Sequence, residues 1–218
     1  MNIEQIRKTE SFLKQIFNES VYLNEHLKEK EYRLEHSYRV ANIGKLIAQK
    51  EGFDETEMVI ACLLHDVSYC EEFPDNDAWK NHGRKAARIA RPFLAELGLS
   101  VDRINDICYG IAIHVDDEAD FEGERTPFAL SVGDADNIDR YDAYRIFETL
   151  ERDRFLEKSF KEKVELVDTR LSKLKKALHI SLGTKTAEEI WTERIAYYSG
   201  FYEKLQKQLE NSFTITQI

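Results

Sequence analysis

Glycine and proline are scarce in this sequence, nine and three among 218 residues. So few chain breakers argue against many short strands joined by tight turns and for long helices. Cysteine is equally sparse: Cys62, Cys70 and Cys108 form an odd set without CxxC spacing. That excludes a disulfide framework and a zinc ribbon and fits a reducing cytoplasm. Long hydrophobic runs are missing as well. Residues 1–17 interleave charges with apolar positions, so neither a signal peptide nor a membrane span is expected there. Basic residues are in deficit, 31 against 41 acidic ones, for a net charge of -10. A surface of that sign repels a phosphate backbone and disfavours duplex nucleic acid as a partner. A small phosphorylated molecule stays compatible, because a metal ion and a few cations reverse the potential inside a cleft.

What is present reads as helices. Ile3, Ile6, Phe12, Leu13 and Ile16 recur at mostly helical intervals and predict an amphipathic scaffold helix over 3–17. A second helix is expected over 34–50, with Val40, Ile43 and Ile47 on one stripe and His36 one turn before Val40. Gly52 ends it. Asp54 and Glu57 then form a capping-box-like start for 55–66, whose run Met58–Leu64 is apolar all round, as a central buried helix must be. A loop over 68–77, a helix over 80–97 kinked at Pro92, and a helix capped by Ser100 and ending at His114 follow. A polar loop over 116–127 precedes a buried segment over 128–136. The remainder predicts charged helices over 142–178 and 187–210, the latter started by Thr186 and Glu189. Trp191, Tyr197, Tyr198, Phe201 and Tyr202 lie at helical spacing there and suit packing or a homodimer face. The expected organisation is a core over 1–145 with a helical extension over 146–218 packed on it.

Polar residues recur where the apolar helices stop: His36, the adjacent His65 and Asp66, and a later aspartate, Asp134 or Asp136. Burying such groups is costly unless a common partner satisfies them, and a divalent cation is the simplest one. Two imidazoles and two carboxylates suit manganese, iron, cobalt, nickel or zinc. Neighbouring helical residues diverge by about 100°, so His65 and Asp66 can reach one ion only from a helix end, where they sit. His26 and His179 lie in charged surroundings and are expected in solvent.

The stretches LEHSYRVANIGKLIA (34–48), ACLLHDVSYC (61–70) and SVGDADNIDRYDA (131–143) resemble the HD-domain superfamily of metal-dependent phosphohydrolases, over roughly residues 20–145. The region 183–205 is similar to the tail of stand-alone bacterial HD hydrolases. The resemblance implies an all-α fold, an HD-domain helical bundle with a helical C-terminal extension. It implies one or two divalent ions, magnesium among the candidates. His36, His65, Asp66 and Asp136 would be the ligands, and Asp66 and His65 would carry the chemistry. Ala135-Asp136 with Asp139 matches the family's final ligand, with Asp134 and Asp139 supporting it from behind. His82 and His114 match positions that hold a second ion in binuclear members, and Asp66 would bridge the two.

The implied reaction is hydrolysis of a phosphate ester or anhydride by metal-activated water. Arg39, Lys80, Arg84, Lys85 and Arg140 are the candidate phosphate-binding cations. The HDxxED variant is absent, since Val67-Ser68-Tyr69-Cys70 follows the doublet, which argues against an alarmone hydrolase. No GYP-like motif follows His114, which disfavours cyclic dinucleotide cleavage. A nucleotide or another small phosphomonoester is the broadest substrate class. The competing classes are a non-catalytic nucleotide-binding regulatory module and a di-iron oxygenase of the same fold.

Overall fold

The computed structural model describes residues 1–116 and 120–212, so part of the loop expected over 116–127 lies outside the described residues. The described chain is helical, and it divides into two compact units: residues 1–139 with 182–187, and residues 140–181 with 188–218.

In the first unit, Asn2 caps helix α1 (Ile3–Glu19) by accepting from the amides of Glu4 and Gln5, and Leu13 and Phe17 point inward one turn apart. The short α2 (Val21–Glu25) leads into α3 (Leu27–Glu51), which begins one and a half to two turns before the predicted start. Its opening residues are charged and partly exposed, so no apolar stripe announces them. Gly52, at a φ of 77°, closes α3 in the left-handed region and donates to Ala48 O.

Asp54 caps α4 (Glu55–Leu64) through the amides of Thr56 and Glu57. The return arm of a capping box does not form, because the Glu57 carboxylate is bonded to Arg103 instead. Met58 to Leu64 are all buried, and α4 packs against α1 and α3. Each large side chain buried there contributes about 1.5–3 kcal/mol, which makes this helix the axis of the unit.

A 3-10 turn at Val67–Cys70 continues from α4. The helix predicted over 80–97 forms as α6 (His82–Glu96), with Pro92 inside it, and it is preceded by a short helix, α5 (Asn76–Lys80), that starts within the loop expected over 68–77. Ser100 caps α7 (Val101–Ile113) as expected. Helix α8 (Pro127–Asp139) starts with proline at its first position, where a missing amide is harmless. Helices α3, α4 and α7 all pack against α8, and α6 lies along α7.

In the second unit, the single helix predicted over 142–178 is interrupted. Helix α9 (Ala143–Arg152) ends before Arg154, which takes a φ of 51°, and α10 (Phe160–Ala177) restarts with a full capping box between Ser159 and Glu162. Helix α11 (Lys185–Glu210) begins in the first unit. Its start differs from the sequence reading: Thr184, not Thr186, supplies the cap by accepting from Ala187 N, while the Thr186 amide donates to Glu51. Within the second unit Trp191, Tyr198 and Tyr202 are buried, Trp191 donating to Ala177 O, while Tyr197 and Phe201 remain in solvent. Most of the aromatic stripe is therefore internal packing. No helix among the described residues is long and apolar enough to cross a membrane.

Candidate metal centre

Four histidines converge inside the first unit, each from a different element. His36 lies in the middle of α3, His65 terminates α4, His82 opens α6 and His114 terminates α7. All four are buried, as are Asp66 and Asp136. Asp66 leaves helical geometry at a φ of -105° and ψ of 14°, directly after a helical His65, so both side chains of the doublet turn into one space.

The orientation of each ring is set from behind. His65 Nδ1 donates to Cys62 O at 2.7 Å, His82 Nδ1 to Trp79 O at 2.6 Å and His114 Nδ1 to Ile111 O at 2.7 Å. Each acceptor is the carbonyl three residues upstream. His36 Nδ1 donates to the carboxylate of Asp139 at 2.8 Å, and Arg39 holds that carboxylate by two further bonds. Carbonyls and carboxylates only accept, so each Nδ1 carries the proton and each neutral ring keeps its Nε2 lone pair facing the centre.

Those lone pairs meet in two groups. His36 Nε2 lies 3.3 Å from His65 Nε2, with Asp66 Oδ2 3.6 Å from each and Asp136 Oδ1 3.1 Å from His36. His82 Nε2 lies 3.0 Å from His114 Nε2, and the other oxygen of the same carboxylate, Asp66 Oδ1, is 3.2 Å and 3.5 Å from the two nitrogens. Two acceptor nitrogens at such distances repel unless a positive charge sits between them. Each pair therefore asks for a proton or a cation, and the donors lie close enough to hold one: His36, His65 and Asp66 in one group, Asp66, His82 and His114 in another, with His65, His114 and Asp136 forming a third set across the two. A mixed nitrogen and oxygen set of this kind suits a divalent transition metal.

The electrostatics follow from burial and charge. Burial opposes ionisation of Asp66, yet the surrounding histidines and Arg33 hold its carboxyl well below the usual carboxylate range. Burial lowers His36, but Asp136 and Asp139 outweigh it and raise the imidazole to about 9. His65, fully buried, is depressed to about 4. His114 is raised despite its burial, because Asp66 bonds to it.

Close backbone approach brings the second pair together. A Cβ on Gly83 would lie 2.8 Å from the carbonyl oxygens of Ala112 and Ile111, and the latter is the acceptor that orients His114. Backbone cannot yield as a flexible side chain can, so Gly83→Ala is expected to push α6 away from α7 and lower stability by about 1–3 kcal/mol. Equilibrium denaturation would measure it, and an unchanged midpoint would show that the two helices separate freely.

The other sequence candidates are distributed differently. Asp134 lies on the same helix as Asp136, but its Oδ2 accepts from Gly183 N at 2.8 Å and it is in none of the donor groups. Arg39 holds Asp139, which bonds to His36. Arg84 is bonded to Asp116 and Asp120, Lys85 is paired with Glu71, and Lys80 is exposed. Arg140 is exposed and belongs to the second unit. His26 and His179 are exposed, as expected.

Sequence reasoning missed Arg33. Its Nη1 is 3.0 Å from Asp66 Oδ2, and its guanidinium stacks 3.3 Å from the centre of the Tyr69 ring. Its position three residues before His36, on the same face of α3, was the available signal.

Comparison with known proteins identifies the family. The HD domain family matches residues 33–144. Among curated proteins none matches. A solved structure of a predicted HD superfamily hydrolase from an uncultured Thermotogales bacterium superposes with a TM-score of 0.63 at 17% identity, covering 95% of this chain and 99% of its own. The structure of Bacillus subtilis YpgQ in complex with ADP superposes with a TM-score of 0.54 at 18% identity, covering 99% and 98%. At such identities the likeness shows a shared fold, whereas the family match spans just over half of the sequence and includes all of the converging residues. The chain belongs to the HD-domain family.

Proposed function

We propose that this protein is a metal-dependent phosphohydrolase acting on a small phosphorylated molecule, a nucleotide or another phosphomonoester. The observation that carries the reading is the paired convergence of Nε2 lone pairs on the two oxygens of Asp66. His36, His65, Asp66 and Asp136 would hold one ion, and His82, His114 and the shared Asp66 a second. A divalent ion bound there lowers the pKa of water to near neutrality and polarises a phosphoryl oxygen.

The chain's own groups would supply the rest. Asp66 would accept the proton of an attacking water at Oδ1 or Oδ2. Arg33 presents a fixed guanidinium beside Asp66, suited to the negative charge on phosphoryl oxygens. Burial of the histidines keeps bulk water from competing with these contacts. The ADP bound by YpgQ supports placing nucleotides first among the candidate substrates.

The test is phosphate release from a panel of nucleotides and a generic phosphomonoester. Protein freed of metal by chelation would be reloaded in turn with manganese, iron, cobalt, nickel, zinc or magnesium. Turnover that depends on added metal is the expected result, and none with any ion overturns the proposal.

Asp139 tests the ligand assignment from behind. Because it fixes the proton on His36 Nδ1, Asp139→Asn is expected to weaken metal binding by about 10- to 100-fold while the helices persist. Competition against a fluorescent chelator would read it. Undiminished affinity would show that His36 is not a ligand.

A further inference from the structure

One ring close to the buried centre stands in solvent. The side chain of Asp66 is 5% exposed and that of Arg33 is 18% exposed, while Trp79, the outermost, is 44% exposed. Trp79 lies in the short helix just before His82, where a large apolar ring in water contributes little to folding. It is nevertheless held in place. Its indole Nε1 donates to the Tyr69 hydroxyl at 3.0 Å, and its backbone carbonyl receives His82 Nδ1.

Tyr69 in turn carries the Arg33 guanidinium on its ring and touches Phe73 edge-on, with ring centroids 4.8 Å apart. The His82 ring lies 5.2 Å from Tyr69 and 5.8 Å from Trp79, centroid to centroid. An aromatic wall therefore starts beside the buried carboxylate and ends in a pinned ring open to solvent.

We infer that Trp79 is the stacking platform for the aromatic base of a nucleotide whose phosphate lies at the Asp66 centre, which makes it a specificity-determining residue for nucleotides over phosphates that lack a base. The inference rests on the phosphohydrolase reading for the place of the phosphate. The chemistry is that of an amphipathic ring. Indole offers a broad π-face, every nucleobase has a matching one, and stacking tolerates either purine or pyrimidine. The bond to Tyr69 fixes the ring before ligand arrives, so little conformational freedom is lost on binding. One ribose separates a base from its 5′-phosphate, and one imidazole, that of His82, lies between the Trp79 ring and Asp66.

The protein contains two tryptophans, so Trp191→Phe leaves Trp79 as the single indole reporter. Manganese-loaded full-length protein of this background would be mixed rapidly with adenosine or uridine 5′-monophosphate, or with ribose 5-phosphate, and its emission followed before turnover. Both nucleotides are expected to quench the emission and ribose 5-phosphate is not. Trp79→Ala is expected to weaken nucleotide binding about tenfold, within the range of base stacking on an aromatic ring, and to leave ribose 5-phosphate binding unchanged. Trp79→Phe, which keeps a π-face, is expected to recover most of the loss.

Absence of quenching by both nucleotides overturns the inference. So does an equal loss of nucleotide and ribose 5-phosphate binding in Trp79→Ala. Quenching by a nucleotide that no metal allows to be hydrolysed would leave the platform standing and sink the phosphohydrolase reading. Hydrolysis of both kinds of phosphate with one KM would do the reverse.

Discussion

Replacing Asp66 by asparagine is expected to lower phosphate release by at least about a thousandfold, within the range of lost general acid-base groups, and to reduce metal content at both donor groups together. One carboxylate faces both histidine pairs, Oδ2 toward His36 and His65, and Oδ1 toward His82 and His114. Asparagine preserves the size of the side chain but removes the charge and turns one of the two acceptor positions into a donor. A change at His82 alone would leave the other group complete, so simultaneous loss is the signature of a shared ligand.

The same substitution removes one of the two carboxylates that hold the half-buried Arg33 guanidinium, leaving Glu29. A part-exposed pair whose arginine keeps a second partner loses less than the roughly 3–5 kcal/mol of a fully buried one, so the metal-free variant should melt slightly earlier. Elemental analysis, thermal unfolding and turnover would be measured on one preparation. Turnover within tenfold of the parent would remove Asp66 from the reaction.

Chelation is expected to make stability fall as pH rises. Without an ion, a proton between the converging nitrogens takes the cation's place, and His36 keeps it up to about pH 9 because Asp136 and Asp139 outweigh its burial. An unperturbed histidine titrates near 6.5, so this raised group stabilises the metal-free fold fully below that pH. The contribution is lost as pH climbs through the folded value of about 9, and it amounts to something on the order of 3 kcal/mol.

Metal binding must displace that same proton, so affinity should grow with pH over the same window and level off above it. His65, depressed to about 4, is already neutral and adds nothing at these values. The melting temperature of stripped protein should therefore fall between pH 6.5 and 9, while the gain on adding manganese widens. A gain that is constant across the window would show that no ligand proton is exchanged. The stabilisation itself is large, about 2.7 kcal/mol when free metal is one hundred times its dissociation constant.

Much of this centre could be read from the linear sequence, for one physical reason. Apolar helices that end in histidine or aspartate bury groups that are costly to bury alone, and α4 ending in His65 and Asp66, α7 ending in His114 and α8 carrying Asp136 all show that break in pattern. Caps were legible where a short polar side chain precedes an apolar run, as at Asp54 and Ser100. The interruption between α9 and α10 was not, because Arg154 adopts its left-handed backbone without glycine or proline to announce it, although Ser159 and Glu162 carried the pattern of a helix start.

The sequence by itself determined an all-helical chain of HD type and which histidines and aspartates would be placed inward, because periodicity and burial cost are local properties of a helix face. Only the tertiary structure decided which lone pairs meet and how one carboxylate divides between two pairs, since His36 and Asp139 are 103 positions apart. It also decided where the cations go. Arg39, Arg84 and Lys85 look alike in sequence, and each is held by a carboxylate brought from elsewhere in the fold. Arg33, marked in the sequence only by its place one turn before His36, is the arginine beside Asp66. The aim of a long, flexible charged side chain depends on the field of every neighbour the fold assembles, and that field does not exist until the helices have packed.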